Sequence, residues 1–274
     1  MRRRFFAYPY ILWMLALILL PMAVIIFYAF TTGEAGGNRF TLSYIIKIFD
    51  MLNIRILLRS VWLSLLATAV CLVVAYPVAY ILSRIPSRKT PFLYVLFVVP
   101  MWMNFLLRTY AWMILLDMNG LVNRFLVMLG FGRVQLMYNM SAVVFGMIYN
   151  FLPFMILPIY TMLLKIPAEL VEAAQDLGAD DGRVFWRVVF PLSLPGVVSG
   201  VTMVFIPGIT TFAISRLLGG SQFMLFGDLI ENQFILLQDW HFGSALSLMM
   251  MVLVFVCMAV SSGFDKETKG GALI

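Results

Sequence analysis

Glu169, Glu172, Gln175 and Asp176 recur at a spacing that puts them on one side of a helix, and Leu170, Ala173, Ala174 and Leu177 on the other. Pro167 suits the first turn of such a helix. Gly178 supplies a residue that adopts the left-handed conformation and ends it. The predicted helix is too short and too acidic to cross a bilayer. Helices that lie flat on lipid carry Lys and Arg on the polar face. Acids there favour a protein partner, and the small side chains of Ala173 and Ala174 let another backbone approach closely. The chemistry on offer is docking, not bond making. A second short helical segment is expected over Gly182 to Val189, bringing up Phe185 and Trp186, with Pro191 and Pro195 stopping it.

Other chemistries lack their parts. With one histidine, His241, a His-Glu-x-x-His zinc site is impossible. Cys71 and Cys257 sit inside apolar runs, where cysteine behaves as a small hydrophobe, so neither a disulfide framework nor a metal site is supported. The chain has no Gly-x-x-x-x-Gly-Lys-[Ser/Thr] loop to cradle phosphates and no Gly-x-Ser-x-Gly nucleophile elbow. No catalytic residue is assigned.

The elements that must position the polar helix are membrane spans. Of 274 residues 63% are hydrophobic and 12% charged, and the mean hydropathy is +0.99. Globular domains are nearer half apolar and a quarter charged, so the bilayer is the solvent. Six apolar runs stand out: Phe6–Phe30, Leu57–Leu82, Phe92–Leu116, Ala142–Leu164, Gly196–Ile214 and Phe242–Ser262. The first is too long for a cleaved signal peptide and reads as an uncleaved span. Arg108 either ends the third run or turns inward. Leu121–Leu129 is too short to span and reads as a surface or re-entrant helix. Arg2, Arg3 and Arg4, then Arg84, Arg88 and Lys89, then Lys165, Arg183 and Arg187, then Lys266 and Lys269 all fall on one side of a six-span chain. The positive-inside rule makes that side cytoplasmic, both termini included. The net charge of +6 therefore reads as topology and not as a nucleic-acid surface.

Glu172-Ala-Ala-x-x-x-Gly178, followed by Pro191-Leu-Ser-Leu-Pro-Gly196, resembles the EAA loop of permease subunits of ABC importers. Val99-Pro-Met-Trp-Met-Asn-Phe-Leu-Leu-Arg-Thr-Tyr-Ala-Trp112 looks like the third-span signature of the spermidine/putrescine permeases. Leu217-Leu-Gly-Gly220, Gly227 with Gln233-Phe234, and Asp239-Trp-His-Phe-Gly-Ser-Ala245 resemble further segments of that family, in its first permease type. The resemblance implies an all-α membrane protein with six transmembrane helices, the type I (MetI-like) permease fold, and cytoplasmic N- and C-termini. It implies one permease domain over residues 1–274, with a cytoplasmic coupling loop at 166–194, in a bacterial cytoplasmic membrane. Coupling would fall to Glu169, Glu172, Ala173, Ala174, Asp176, Leu177, Gly178 and Phe185. The implied partners are a second permease subunit forming a heterodimer, two cytoplasmic ATPase subunits and an external substrate-binding protein, with no nucleic acid. No cofactor or metal is implied on this chain; ATP and Mg belong to the ATPase partners.

A polyamine route wants carboxylates, carbonyls and aromatic faces. The candidates are Trp102, Asn104, Tyr149, Asn150, Thr210, Thr211 and Ser215, with Asp228, Glu231 and Asp239 in the outer loop before the sixth run. The bland alternative for each is a surface charge or a satisfied interhelical hydrogen bond. Arg216 stands where some relatives have an acid, and Asp228 is the expected partner for it. A different cargo (ferric iron, thiosulfate or a phosphonate) is the alternative within the family. An ion-coupled secondary transporter is the alternative outside it, though the chain shows neither evident mid-span ionisable residues of that kind nor an internal repeat.

Overall fold

Backbone groups in lipid must be satisfied within the segment, so so apolar a chain resolves into helices. The computed structural model describes residues 12–33, 39–85, 90–220 and 223–270. Arg2, Arg3, Arg4, Arg88 and Lys89, and the start of the first apolar run, lie outside the described residues. The chain begins with α1 (Leu12–Ala29), which contains one π-helical turn at Leu15–Leu19. A two-stranded ribbon follows, β1 (Thr31–Thr32) pairing antiparallel with β2 (Arg39–Phe40), then the short α2 (Ser43–Ile48). Next come α3 (Met51–Arg84), α4 (Thr90–Trp102), α5 (Phe105–Leu116), α6 (Leu121–Met128), α7 (Met140–Leu163) and α8 (Ala168–Asp176). The remainder is α9 (Asp181–Thr210), α10 (Ala213–Gly219), α11 (Phe226–Ile235) and α12 (Trp240–Gly270).

Among the described residues six stretches are long and apolar enough to cross a membrane. Five are the continuous helices α1, α3, α7, α9 and α12. The apolar stretch Phe105–Met128 also meets the length and composition requirement, but the turn at Asp117–Gly120 cuts it. At 1.5 Å per residue α4 spans about 20 Å and α5 about 18 Å, so neither crosses alone. We assign the third crossing to α4 and α5 in series, jointed at Met103 and Asn104. The sequence presents that run as one helix. The joint forms because the Asn104 side chain accepts from the Leu106 and Leu107 amides at 2.8 and 3.4 Å, capping a new helix from a position four residues after Pro100. Arg108 is turned inward, as one of the two sequence readings has it, and is 6% exposed.

Buried α7 is the centre of the bundle, packed against α3 and α9, while α1 packs on α12. Leu63, Ala67, Cys71 and Ala75 of α3 meet Met147, Met155, Ile156 and Ile159 of α7 in the main core. A second core beneath the ribbon joins Ala29, Ile48, Phe226, Phe242 and Leu246. The expected stop at Pro191 and Pro195 does not occur. The helix runs unbroken from Asp181 through both prolines, because a π-helical turn at Phe185–Val189 widens the coil just before Pro191. The break comes instead at Thr211 and Phe212, inside the fifth apolar run, where Thr211 is extended (φ −66°, ψ 140°).

Candidate functional site

Two constructions concentrate the polar chemistry. The first is α8, at the same end of the bundle as the C-terminus of α3. Its C-terminus closes with the Ala179 amide donating to the Ala174 carbonyl (3.1 Å) and the Gly178 amide to the Gln175 carbonyl (2.8 Å). That paired closure needs a left-handed residue, and Gly178 sits at φ +81°. The exposed side of α8 differs from the simple two-faced reading. Val171 and Ala174 pack against the core together with Ile166 and Ala179. Leu170, Ala173 and Leu177 face outward, Leu177 being 89% exposed. Propensity periodicity could not see this, because Val171 lies between the acidic and apolar stripes and only the tertiary contact tells which flank is inside. Glu169, Glu172 and Asp176 are exposed beside the open apolar stripe.

The root of α8 is tied to the crossings by aromatic rings. Phe185 stands edge-on to Tyr76 (5.8 Å) and Tyr80 (5.4 Å) of α3, and Trp186 packs edge-on to Phe185 (5.2 Å). The Tyr76 and Ser193 hydroxyls are 2.8 Å apart, joining α3 to α9. A cavity of about 320 Å³ separates Tyr80, Ser83 and Arg84 from Glu172 and Gln175. Gln175 reaches Asp181 at 3.0 Å, and the Asp180 carboxylate accepts from the Arg183 amide at 2.7 Å, which starts α9. Phe185, which follows α8 in the chain, thus contacts α3, and α3 is tied to α9 through Tyr76 and Ser193. Phe185 is the one residue of the predicted coupling set that sits inside this aromatic joint. Tyr76, Tyr80 and Ser193 complete it; the two tyrosines carry no sequence signal beyond being polar tips in an apolar run, and Ser193 lies in the Pro191–Gly196 segment, where the sequence assigns it no role of its own.

The second construction is the break after α9. The first turn of α11 lies against the freed end of α9: a Cβ on Gly227 would stand 2.6 Å from the Thr210 carbonyl oxygen and 2.8 Å from that of Thr211. The Phe226 amide donates to the Ser60 hydroxyl of α3 at 2.7 Å. Asp228 accepts from the Ser215 hydroxyl (2.6 Å) and the Leu225 amide (2.8 Å). Burial pushes the Asp228 carboxyl above the ordinary carboxylate range, against the pull of the Ser215 and Leu225 hydrogen bonds and the Arg216 charge. Thr210, Thr211, Ser215 and Asp228 are thus brought together. Ser60 belongs with them and was not expected; a lone serine in an apolar run was its only signal.

Arg216 does not pair with Asp228. It donates to Glu231 at 3.0 Å and to Asn232 at 3.2 Å, because Glu231 lies three residues further along α11, one turn nearer to the α10 side chain, while Asp228 is turned to Ser215. A cavity of about 200 Å³ opens between Arg216, Phe223, Asp228 and Asn232. The other candidates lie apart. Asp239 caps α12 by accepting from the Phe242 amide at 3.0 Å. Asn150 donates to the Gly146 carbonyl (2.9 Å) and the Thr109 hydroxyl (3.4 Å), and Tyr149 stands edge-on to Trp112. Asn104 is a helix cap, and Trp102 beside it is 84% exposed.

Irregular backbone within a span is tolerated where it lines water or is buried in protein, and two crossings carry such joints with polar groups beside them. Solved structures share this fold. A bacterial ABC transporter that imports the acidic polysaccharide alginate superposes with a TM-score of 0.81 at 16% identity, over 97% of this chain and 96% of that one. A methionine ABC transporter, MetNI, in an inward-facing conformation gives a TM-score of 0.59 at 15% identity, over 83% of this chain and 97% of that one. Among sequences, the "Spermidine/putrescine transport system permease protein PotB" of Escherichia coli (strain K12) is 36% identical over 253 residues, 90% of this chain and 92% of that protein. The protein of the same name from Haemophilus influenzae is 34% identical over 254 residues, covering 89% and 88%. The family described as "Binding-protein-dependent transport system inner membrane component" matches residues 75–269. The chain belongs to that family and is a multi-pass inner-membrane permease subunit of a bacterial ABC importer.

Proposed function

We propose that this subunit forms half of a pathway for polyamines, spermidine or putrescine, and that its power stroke enters through α8. The observation that carries the reading is the 36% identity over 90% of the chain to a permease named for those cargoes. In this reading residues 166–194 lie in the cytoplasm, as do both termini. One of two ATPase subunits grips the exposed Leu170, Ala173 and Leu177 stripe with Glu169, Glu172 and Asp176 around it. Gly178 holds the end of the lever, and Phe185 passes its motion to α3 and α9. A second permease subunit completes the pathway, and an external binding protein delivers the cargo. The break around Thr210, Thr211, Ser215 and Asp228 is the polar station along the route, with carbonyls and a carboxylate suited to an ammonium group. ATP and Mg are held by the ATPase partners.

Transport by the whole assembly in vesicles tests this. Labelled putrescine should accumulate when ATP and the binding protein are both supplied, and not with ATP withheld. Accumulation that needs no ATP and follows an ion gradient would overturn the reading.

A further inference from the structure

Arg108 is a buried charge with no pairing group among the described residues. It is 6% exposed, its Nε is buried with no hydrogen-bond partner, and among the described residues no carboxylate or acceptor engages its guanidinium. Arginine stays protonated in proteins, so it cannot escape by titration. A buried ion without a counter-charge is strongly destabilising, and native structures pair such groups. None of the described residues supplies the anion, which points to a group beyond them.

Position narrows the source. Arg108 lies nine residues before Asp117, the C-cap of α5, so its Cα is about 13 Å below that outer end. Helical side chains lean toward the N-terminus of their helix, so Arg108 leans away from that end and toward the joint at Met103 and Asn104. Lipid phosphate at the outer surface is on the wrong side of it. The joint adds a second, independent observation. Met103 and Asn104 are non-helical and exposed within the third crossing, beside Trp102 at 84% exposure. Such backbone does not face hydrocarbon; it is covered by protein or lines water. A polyamine, the cargo proposed above, offers cations only.

We propose that the α4–α5 joint is a contact edge for the second permease subunit, which inserts a carboxylate against Arg108 and covers Trp102 and Asn104. The inference rests on the heterodimer of the proposed function but not on the identity of the cargo. Each partner would then neutralise a charge that the other cannot bury alone.

The test uses the complete complex, purified by a tag on this chain, and reads how much second permease subunit remains bound as detergent extract is diluted. Truncating one member of a buried ion pair costs about 2–5 kcal/mol, so Arg108→Met should weaken subunit association by at least about thirtyfold. Arg108→Lys, which keeps the charge, should retain most of it. Arg108→Glu should disrupt association, and changing one intramembrane Asp or Glu of the second subunit to Arg should restore it. Yield and thermal unfolding of this chain control for folding, and Arg108→Met should not lower them, since it removes an unpaired buried charge. Unchanged association in Arg108→Met, or failure of every partner reversal to rescue Arg108→Glu, would overturn the proposal. If the wild-type complex holds together but carries no polyamine, the cargo assignment fails and this contact stands.

Discussion

Replacing Gly178 isolates the backbone from every other contribution to α8. A Cβ at this position would meet no atom within 4 Å, so an added β-carbon collides with no neighbour. What remains is φ +81°. For an L-residue with a Cβ the left-handed region costs roughly 1–2 kcal/mol, whereas asparagine enters it more readily. Alpha8 is nine residues long with no side-chain cap at its N-terminus, and helices that short are not stable on their own. A loss of 1–2 kcal/mol shifts the closed end of the helix toward frayed forms by about five- to thirtyfold. Gly178→Ala should therefore lower putrescine uptake per ATP hydrolysed, Gly178→Val should lower it further because its side chain is branched, and Gly178→Asn should stay close to wild type. The assay is uptake and ATP hydrolysis measured together in vesicles holding the full complex. The six crossings should be unaffected, because Gly178 touches none of them, and thermal unfolding of the bundle should not move. Equal coupling in all three variants would refute the claim that this left-handed end matters, as would Asn failing as badly as Val.

Three further perturbations follow from the geometry. Gly227→Ala places a methyl group 2.6 Å from the Thr210 carbonyl oxygen, so α11 must shift from the α9 break; uptake should fall and the unfolding temperature should drop by an amount matching about 1–3 kcal/mol of overpacking. Leu177→Asp changes a residue that is 89% exposed; it should leave the unfolding of this chain unchanged while reducing the amount of ATPase that co-purifies. Burial raises the folded-state pKa of Asp228 above its unfolded value. Between the two values the folded state binds more protons than the unfolded, so stability from this group is full below the unfolded pKa, about 3.9, and is lost as pH rises through the raised one. Asp228→Asn should abolish that decline, seen as a flatter unfolding temperature against pH above about 4; an unchanged slope would remove Asp228 as its source.

The crossings were legible because hydrocarbon tolerates few sequences. The runs Leu57–Leu82 and Ala142–Leu164 fall within two or a few residues of α3 and α7, apart from the first six residues of α3, where Asn53 and Arg55 dilute the apolarity. The polar lever was legible for the opposite reason, since Pro167, the acids and Gly178 have few other uses between two spans. The joints were not. Asn104 starts a new helix by local hydrogen bonding and Thr211 ends one by extended backbone, both within runs that are mostly apolar. Pro191 misled in the other direction, because the π-turn before it depends on how Phe185 packs against Tyr76 and Tyr80. The pairing of Arg216 with Glu231 in place of Asp228 needed the angle between α10 and α11, which no periodicity encodes.

The central claim, that α8 is a lever gripped by an ATPase, is tested most directly by a single thiol at its tip. In a chain with Cys71 and Cys257 replaced, Leu177→Cys should react with a membrane-impermeant thiol reagent added from the cytoplasmic side only. A short bifunctional crosslinker there should join it to the ATPase subunit. Labelling from the outer side, or a crosslink to the external binding protein instead, would contradict the account.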